Sequence, residues 1–273
     1  RVTRVTLGSG MGCRYTGGNG LHSSRSQGRR MTARSTVLIV DAGAEPLTPL
    51  AQRLAQMGFH ALRAKTTDQA LETLAGSRYD VRAVVLPYDL PVFDLERALQ
   101  AFRTPALSGA PTLIAAGARP DADRRALLRR AGVELALWNP VDDHTLRFQL
   151  NSALAEGGPP SLSRGAERVP TNWPTQVHTG VRSKQAKIYS LSARGAFLST
   201  ASPSMPNSRI SMSVPLPEAD RIVTGSVVMT NVPGNLIKAN LPIGMGIAFS
   251  DLDPTLIEAL ESYARERSDR LRL

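Results

Sequence analysis

Two arginines and a short polar turn are the residues of this chain whose types and spacing could do chemistry. Arg164 and Arg168 stand four positions apart, and after 21 intervening residues a turn begins that contains Ser190, Ser192 and Gly195. A guanidinium presents a planar fork of donors that can bind two phosphate oxygens at once and stack on a base. Serine hydroxyls and a closely approaching glycine backbone add hydrogen-bonding groups. The pattern predicts a site for a compact, phosphate-bearing ligand.

Other kinds of site find little support in the sequence. His60, His144 and His178 lie far apart without the spacing of metal ligands, so we expect surface histidines and no metal site. No serine, histidine and aspartate follow the order and turn context of a hydrolase, and we predict that the protein is not an enzyme. Cys13 is the only cysteine, which argues against an internal disulfide or a cysteine-based zinc site and fits a reducing cytoplasm.

The positive charge of the chain is concentrated near its start. The 273 residues carry a formal net charge of +10, yet residues 1–35 hold seven arginines and no acidic residue. Residues 36–150 are balanced, with 13 basic and 13 acidic side chains, so nucleic-acid binding is not expected of them. Residues 1–35 have too few apolar side chains to fold alone, which predicts a disordered basic tail. Met31 precedes the first apolar run, which fits a leader or a misassigned start for residues 1–30.

Residues 36–155 alternate short apolar strands with amphipathic helices. Continuous β-branched runs predict strands covered on both faces, and a period of 3.6 predicts helices. The predicted strands are Thr36–Val40, His60–Ala64, Ala83–Leu86, Thr112–Ala115 and Leu135–Trp138, and the predicted helices are Pro46–Gly58, Thr67–Ala75, Leu95–Phe102, Ala122–Ala131 and Asp143–Ala155. This alternation predicts an α/β fold with a doubly wound, five-stranded parallel sheet.

This first domain resembles the receiver domains of response regulators. The resemblance covers its length and element order and includes the pairs Leu90-Pro91 and Asn139-Pro140. It implies an aspartate at the end of the third strand that accepts a phosphate, and an acidic pair after the first strand that holds magnesium.

The residues of that chemistry are replaced one by one. The phosphoacceptor position holds Pro87, which has no nucleophile, and the acidic pair is reduced to Asp41. Ala116 replaces the expected hydroxyl after the fourth strand, and Asn139 replaces the expected lysine. We interpret Asp89 as a solvated turn residue and the domain as a pseudo-receiver that is not phosphorylated and serves docking or homodimerisation.

A polar Gly/Pro run, residues 156–163, is the predicted linker to a second domain, residues 164–273. The predicted strands are Thr175–Val181, Lys187–Leu191, Ala196–Leu198, Arg209–Pro215, Ile222–Thr230, Leu236–Asn240 and Met245–Phe249, and a helix follows over Asp253–Arg267. Short strands with frequent Gly, Pro and Asn turns predict an antiparallel β-barrel. The helix would cap that barrel with Leu256, Ile257, Leu260 and Tyr263.

The second domain resembles the PilZ family of bacterial cyclic di-GMP receptors, whose signature is Arg-x-x-x-Arg followed further along by Asp/Asn-x-Ser-x-x-Gly. The resemblance implies that Arg164 and Arg168 grip the phosphates and stack on a guanine, that Ser192 donates to the ligand, and that Gly195 permits the turn. Ser190 stands where the family has Asp or Asn to accept hydrogen bonds from a guanine edge. A hydroxyl accepts one such bond but does not reproduce two. One unpaired donor costs about 1–3 kcal/mol, so weakened binding is predicted.

The sequence leaves more than one function open. In the first, the protein is a cytoplasmic bacterial signalling adaptor that binds cyclic di-GMP and relays this state to a protein partner. In the second, it is a nucleotide-independent interaction scaffold, in which Arg164 and Arg168 are solvated linker residues and Ser190 and Ser192 are exposed strand residues. In the third, the tail of residues 1–30 binds nucleic acid or an acidic membrane. No apolar run reaches the roughly 18 residues of a membrane span, so membrane insertion is not expected.

Overall fold

The computed structural model describes residues 35–76, 79–102, 110–155, 166–237 and 241–273, except for the side chains of residues 92–94. Residues 1–34 of the predicted tail, the whole predicted linker and Arg164 therefore lie outside the described residues. Residues 34–273 form one compact unit, which contains both a parallel sheet and a barrel. Within the described ranges, no helix is long and apolar enough to cross a bilayer.

The first half of this unit is a five-stranded parallel sheet with helices. Its elements are β1 (Thr36–Val40), α1 (Thr48–Gln56), β2 (His60–Ala64), α2 (Thr67–Ala75), β3 (Val81–Pro87), α3 (Val92–Phe102), β4 (Thr112–Gly117), α4 (Ala122–Arg130), β5 (Leu135–Trp138) and α5 (Asp143–Ala153). The strand order is β2-β1-β3-β4-β5, and every pair is parallel. The predicted doubly wound α/β fold is confirmed, and β1 is buried along its whole length because apolar clusters cover both sheet faces.

Local capping explains where several helices begin. Asp121, Asp142 and Asp253 each precede a helix and accept a hydrogen bond from the backbone N–H three residues later. Thr66 does the same for α2. A side-chain oxygen at this position satisfies one of the N–H groups that the first helical turn leaves without a partner.

The second half is a closed six-stranded antiparallel barrel with one helix. Its elements are β6 (Val169–Thr179), β7 (Arg182–Ser192), β8 (Gly195–Ser199), β9 (Arg209–Pro215), β10 (Asp220–Asn231), β11 (Gly244–Ser250) and α6 (Pro254–Asp269). The strand order around the barrel is β10-β11-β8-β7-β6-β9, and β10 closes it by pairing with β9. The predicted barrel with its closing helix is confirmed.

Two predicted strands of the barrel are longer than their sequence pattern indicated. Strand β6 starts at Val169, six residues before the predicted start, and β7 starts at Arg182. A register shift between Pro170 and Trp173 interrupts the pairing of β6 with β7, and Asn172 within it has a positive φ of 54°. Such a bulge breaks the alternation of apolar and polar residues, so the period of two was lost over this stretch.

Two further predictions about this half were wrong. Leu236 and Ile237, predicted to begin a strand, lie outside any strand and are half exposed; the rest of that predicted strand, residues 238–240, lies outside the described residues. Ile257 is also exposed, whereas Leu256 and Leu260 are buried in the barrel core. Adjacent helical residues point about 100° apart, so Leu256 and Ile257 cannot both face the barrel squarely.

A small aromatic cluster joins the sheet domain to the outside of the barrel. Phe148 on α5, Tyr189 on β7 and Phe197 on β8 are all buried and pack together. The ring of His144 lies edge-on to Tyr189, with 4.6 Å between centroids, and the Tyr189–Phe197 centroid distance is 6.0 Å. Burial raises the pKa of Tyr189 to about 12. Helix α5 is therefore packed against strand β7 close to Ser190.

Candidate functional site

Strand pairing brings Arg168 to the polar turn. Arg168 immediately precedes β6, and in the β6–β7 pair Val169 lies opposite Leu191 and Pro170 opposite Ser190. Arg168 Nη1 donates to Ser190 Oγ at 3.2 Å, across 22 residues of sequence. Antiparallel pairing places side chains at opposed positions within reach of one another. The structure therefore brings together the second arginine and the first turn residue of the predicted site, while Arg164 lies outside the described residues.

A bulge in β7 decides which of its side chains leave the barrel core. Ile188 and Leu191 both belong to that core although they are three residues apart, which a regular strand of period two does not allow. The register of β7 with β8 shifts between Ile188 and Ser190, and this irregularity frees Tyr189 and Ser190 to lie outside the core. Ser190 and Ser192 are each 3% exposed. The interpretation that they are exposed strand residues is therefore wrong.

The turn between β7 and β8 is closed by its own side chains. Ser192 Oγ donates to the carbonyl oxygen of Gly195 at 3.1 Å, so this hydroxyl is engaged within the protein. Arg194, inside the turn, is exposed, and its carbonyl accepts from Phe249 N at 3.0 Å. These bonds tie the turn to β11.

Gly195 is required for a different reason from the one that the family resemblance implies. It is not among the glycines with a positive φ, so the turn does not depend on a left-handed conformation at this residue. A Cβ at Gly195 would instead lie 2.2 Å from the carbonyl oxygen of Ile247 in β11. The glycine allows β8 and β11 to approach each other, because any larger residue would collide with backbone.

A cavity of about 190 Å³ adjoins the site. It is lined by Ala166, Glu167, Ala193, Glu261, Ala264 and Arg265, which come from the residues just before β6, the β7–β8 turn and α6. Pockets that enclose drug-sized ligands have volumes of roughly 300–1,000 Å³, so a cyclic dinucleotide would extend beyond this cavity. Its lining carries two carboxylates and one guanidinium.

Glu167 is a residue of this region that the sequence analysis did not single out. Its Oε1 accepts from Ser268 Oγ at 2.5 Å and lies 3.3 Å from Arg272 Nη2. Glu167 stands next to Arg168 in sequence and also lines the cavity. Its place between the two signature arginines was the only sequence signal that could have pointed to it.

Asp41 lies at the carboxyl end of the parallel sheet, where the receiver resemblance implied an acidic pair. The carboxylate of Asp41 accepts from Leu47 N at 2.6 Å and from Thr48 Oγ1 at 3.1 Å, and it pairs with Arg63 at 3.0 Å. All these partners belong to the protein itself, so Asp41 acts as a structural residue for the loop before α1. In the described part of the chain, no group of three or more His, Cys, Asp or Glu residues could hold a metal ion.

The loop that follows Pro87 is held by hydrogen bonds to its backbone. Pro87 ends β3 beside Ala116 of β4. The guanidinium of Arg124 on α4 donates to the carbonyl oxygens of Tyr88, at 2.8 Å, and Leu90. Asp89 is half buried and accepts from Ala44 N at 2.8 Å, so the prediction of a solvated turn residue was wrong. The nearby loops are thus held together by a hydrogen bond that Asp89 accepts and by those that Arg124 donates.

Three solved structures similar to this chain each cover less than half of it. The Bacillus subtilis inhibitor of motility MotI/DgrA has 18% sequence identity and a TM-score of 0.33, covering 39% of this chain and 52% of its own. Vibrio cholerae CheY4 has 16% identity and a TM-score of 0.38, covering 44% of this chain and 99% of its own. A receiver domain of an HD domain-containing protein from Pseudomonas fluorescens Pf-5 has 29% identity and a TM-score of 0.38, covering 45% and 88%. The chain thus spans about half the length of MotI/DgrA.

Sequence comparison gives one family. No curated protein sequence matches this chain. The family model described as PilZ domain matches residues 163–266, which include Arg164, Arg168, the β7–β8 turn and most of α6. The closed antiparallel barrel followed by a helix agrees with that match. Residues 163–266 of this chain are a PilZ domain, which follows a receiver-like α/β domain.

Proposed function

We propose that the protein is a cytoplasmic bacterial signalling adaptor that binds cyclic di-GMP through its PilZ domain and relays this state by contacts with a protein partner. It performs no catalysis and uses no metal. In this proposal the receiver-like domain spans residues 36–155 and is not phosphorylated, residues 156–163 are a linker, and residues 164–273 carry the ligand site.

The observation that carries the proposal is the hydrogen bond between Arg168 and Ser190, next to Glu167, which lines a cavity in the PilZ domain. Arg168 is held at the start of β6 with its guanidinium at the β7 side of the barrel. A planar cation held beside a partly open cavity favours an anionic ligand with phosphate oxygens. We propose that Arg164, Arg168, Ser190, Ser192 and Gly195 form the site, with Gly195 acting through strand spacing.

Ser190 is expected to set the affinity. Its Oγ already accepts from Arg168, so it offers a guanine less acceptor capacity than a free hydroxyl. An unpaired ligand donor in a site this buried costs about 1–3 kcal/mol, which is a loss of roughly five- to 150-fold in affinity. Ser190→Asp restores two acceptor oxygens and should tighten binding within that range.

The receiver-like domain is proposed to act by contact alone. Pro87 offers no nucleophile, Asp41 is engaged by Arg63 and by the loop before α1, and Arg124 holds the loop after β3. A magnesium ion needs several oxygen ligands, and these contacts already engage both carboxylate oxygens of Asp41. The domain is therefore free to serve as a docking surface for a protein partner or for a second copy of the chain.

Isothermal titration calorimetry with cyclic di-GMP tests the proposal. The full chain should bind at about 100 μM ligand or below, which corresponds to a binding free energy of about −5.5 kcal/mol or better. Arg168→Ala should abolish the heat, and Ser190→Asp should increase the affinity. Arg182→Ala, which removes an exposed arginine at the far end of the β6–β7 pair, is the matched control and should bind like the wild type. No heat from the wild type, or binding unaltered by Arg168→Ala, contradicts the proposal.

A second function, the nucleotide-independent scaffold, draws support from the cavity itself. Two carboxylates line it, its volume is small, and the hydroxyls of Ser190 and Ser192 both bond within the protein. Under this function Arg164→Ala and Arg168→Ala leave partner binding intact. Retention of partner binding in both variants would favour the scaffold over the receptor.

A further inference from the structure

The residues after α6 do not stay with the barrel but pair with the sheet domain. Leu271 and Arg272 run beside β5, with an antiparallel bridge between Leu135 and Arg272. Ala136 N donates to Leu271 O at 3.0 Å, and Gln149 Nε2, from the buried side chain on α5, donates to the same oxygen at 2.6 Å. The backbone after α6 therefore accepts hydrogen bonds from both a strand and a helix of the other domain.

Further contacts fix the same segment. Arg129 Nε on α4 donates to Leu273 O at 2.6 Å, Leu271 is 8% exposed, and Leu273 packs against the sheet core. Strand β5 is the edge of the parallel sheet, and a strand edge presents unpaired N–H and C=O groups that proteins usually cover. Leu271 and Arg272 cover that edge, and residues 268–273, which include the last two residues of α6, are here called the latch segment.

The same segment is held at its other end by the candidate ligand site. Ser268 and Arg272 both contact Glu167 Oε1, at 2.5 and 3.3 Å. Ser268 is 5% exposed, so its bond to Glu167 is shielded from water. Glu167 is thus the point where the signature region of the PilZ domain meets the segment that covers β5.

The position of Glu167 makes this contact sensitive to an anion. Glu167 neighbours Arg168 and lines the cavity together with Glu261 and Arg265, so the described lining carries more carboxylates than guanidinium groups. Each phosphate of a cyclic dinucleotide carries a negative charge, and a like charge close to a partly buried carboxylate is unfavourable for both groups. Arg272, by contrast, is attracted to a phosphate as readily as to a carboxylate.

We infer that residues 268–273 are a latch between the PilZ domain and the edge strand of the receiver-like sheet. Glu167 holds this latch closed, and an anionic ligand that enters beside Arg168 releases it. The release step rests on the proposed binding of cyclic di-GMP. The closed latch does not depend on ligand binding, because Glu167 contacts Ser268 and Arg272 within the protein itself. Release uncovers the β5 edge, which gives the bound state a surface that the free state lacks.

Hydrogen exchange at the Ala136 amide measures the latch in the full chain without ligand. Glu167→Gln should speed exchange about tenfold and Arg272→Ala about threefold, because the first weakens a shielded charged hydrogen bond and an ion pair and the second removes only the ion pair. Glu258→Gln, the same change at an exposed position of α6, is the control and should leave the rate unchanged. The amide of Val85, at the centre of the sheet, should exchange alike in all variants. Acceleration below about twofold in both variants overturns the latch.

Repeating the exchange measurement with cyclic di-GMP distinguishes a failure of the latch from a failure of the proposed function. Cyclic di-GMP at saturation should accelerate exchange at Ala136 in the wild type, should have no effect in Arg168→Ala, and should add nothing in Glu167→Gln. Calorimetric binding with unchanged or slower exchange at Ala136 overturns the release step and leaves the proposed function standing. Absence of calorimetric binding overturns the proposed function and the release step together. The exchange rates of Glu167→Gln and Arg272→Ala without ligand then test only whether the closed latch exists.

Discussion

Gly195→Ala gives the most direct test of how the β7–β8 turn is built. The added Cβ would lie 2.2 Å from the carbonyl oxygen of Ile247 and 3.5 Å from Cα of Ala248, and Cβ atoms essentially never come closer than 3.0 Å to such atoms. The obstacle is backbone of β11, so no side-chain rotation relieves it. Strands β8 and β11 must therefore separate by nearly an ångström at the pair formed by Gly195 and Ala248.

The expected loss of stability follows from that separation. Overpacking of this kind costs about 1–3 kcal/mol, and weakening a strand hydrogen bond adds about 1 kcal/mol. A total near 3 kcal/mol lowers the melting temperature of a unit of this size by about 6–12 °C. Trp173 packs on Tyr263 in the barrel, with 4.8 Å between ring centroids, so its fluorescence in a Trp138→Phe background follows barrel unfolding.

Two further variants distinguish close approach from turn geometry. Gly76→Ala, whose Cβ would be 3.4 Å from Glu72 O at a negative φ, is the control and should change stability by less than about 1 kcal/mol. Gly195→Asn should be at least as damaging as Gly195→Ala, because asparagine tolerates a positive φ but still carries a Cβ. A stable Gly195→Asn protein, or a loss below about 1 kcal/mol for Gly195→Ala, would refute the close-approach argument.

Three other predictions concern the domain contact and the receiver-like edge. Tyr189→Phe removes the hydroxyl to which Asn151 Nδ2 donates at 3.4 Å, so the free energy of unfolding in urea should fall by about 1 kcal/mol. Tyr189→Ala should lower it by about 3–5 kcal/mol, because this change removes the ring at the centre of the aromatic cluster. Burial lowers the pKa of His144 below its ordinary 6.5. The stability linked to this residue is therefore present above pH 6.5 and is lost as the pH falls through its lowered pKa. His144→Gln should remove this pH dependence of stability between pH 6.5 and 3.8, above the range in which Asp142 titrates. Incubation of the wild type with acetyl phosphate and magnesium should add no phosphate by intact mass, and a phosphorylated Asp89 would contradict the proposal for the receiver-like domain.

The parallel sheet was predictable nearly residue by residue because its signals are local. Strands β1, β2 and β5 and helix α2 have the bounds that the sequence predicted. A strand buried on both faces must be apolar throughout, and a helix between two such strands must show a period of 3.6, so composition and period leave few alternatives. The barrel was predicted in class but less well in detail, since the bulges in β6 and β7 break the period on which the prediction depended.

The candidate site was predictable only as a set of residue types. The sequence singled out Arg168, Ser190, Ser192 and Gly195, and the pairing of β6 with β7 places the first two in contact. That Ser190 and Ser192 are buried could not be read from the sequence, because a serine in a strand is usually exposed. The reason for Gly195 was also hidden, since it lies in a neighbouring strand that the sequence does not identify.

The sequence alone determined the two fold classes, the proline at position 87 and the arginine and turn pattern of residues 164–195, because each depends on residue type and short-range spacing. Only the tertiary structure decided how the end of α6 is held and how the two domains meet. Glu167 contacts Ser268 across 101 residues, and Gln149 contacts Leu271 across 122 residues. A polar residue far from its partner gives no period and no motif, so contacts of this kind are settled by packing and appear only once the chain has folded.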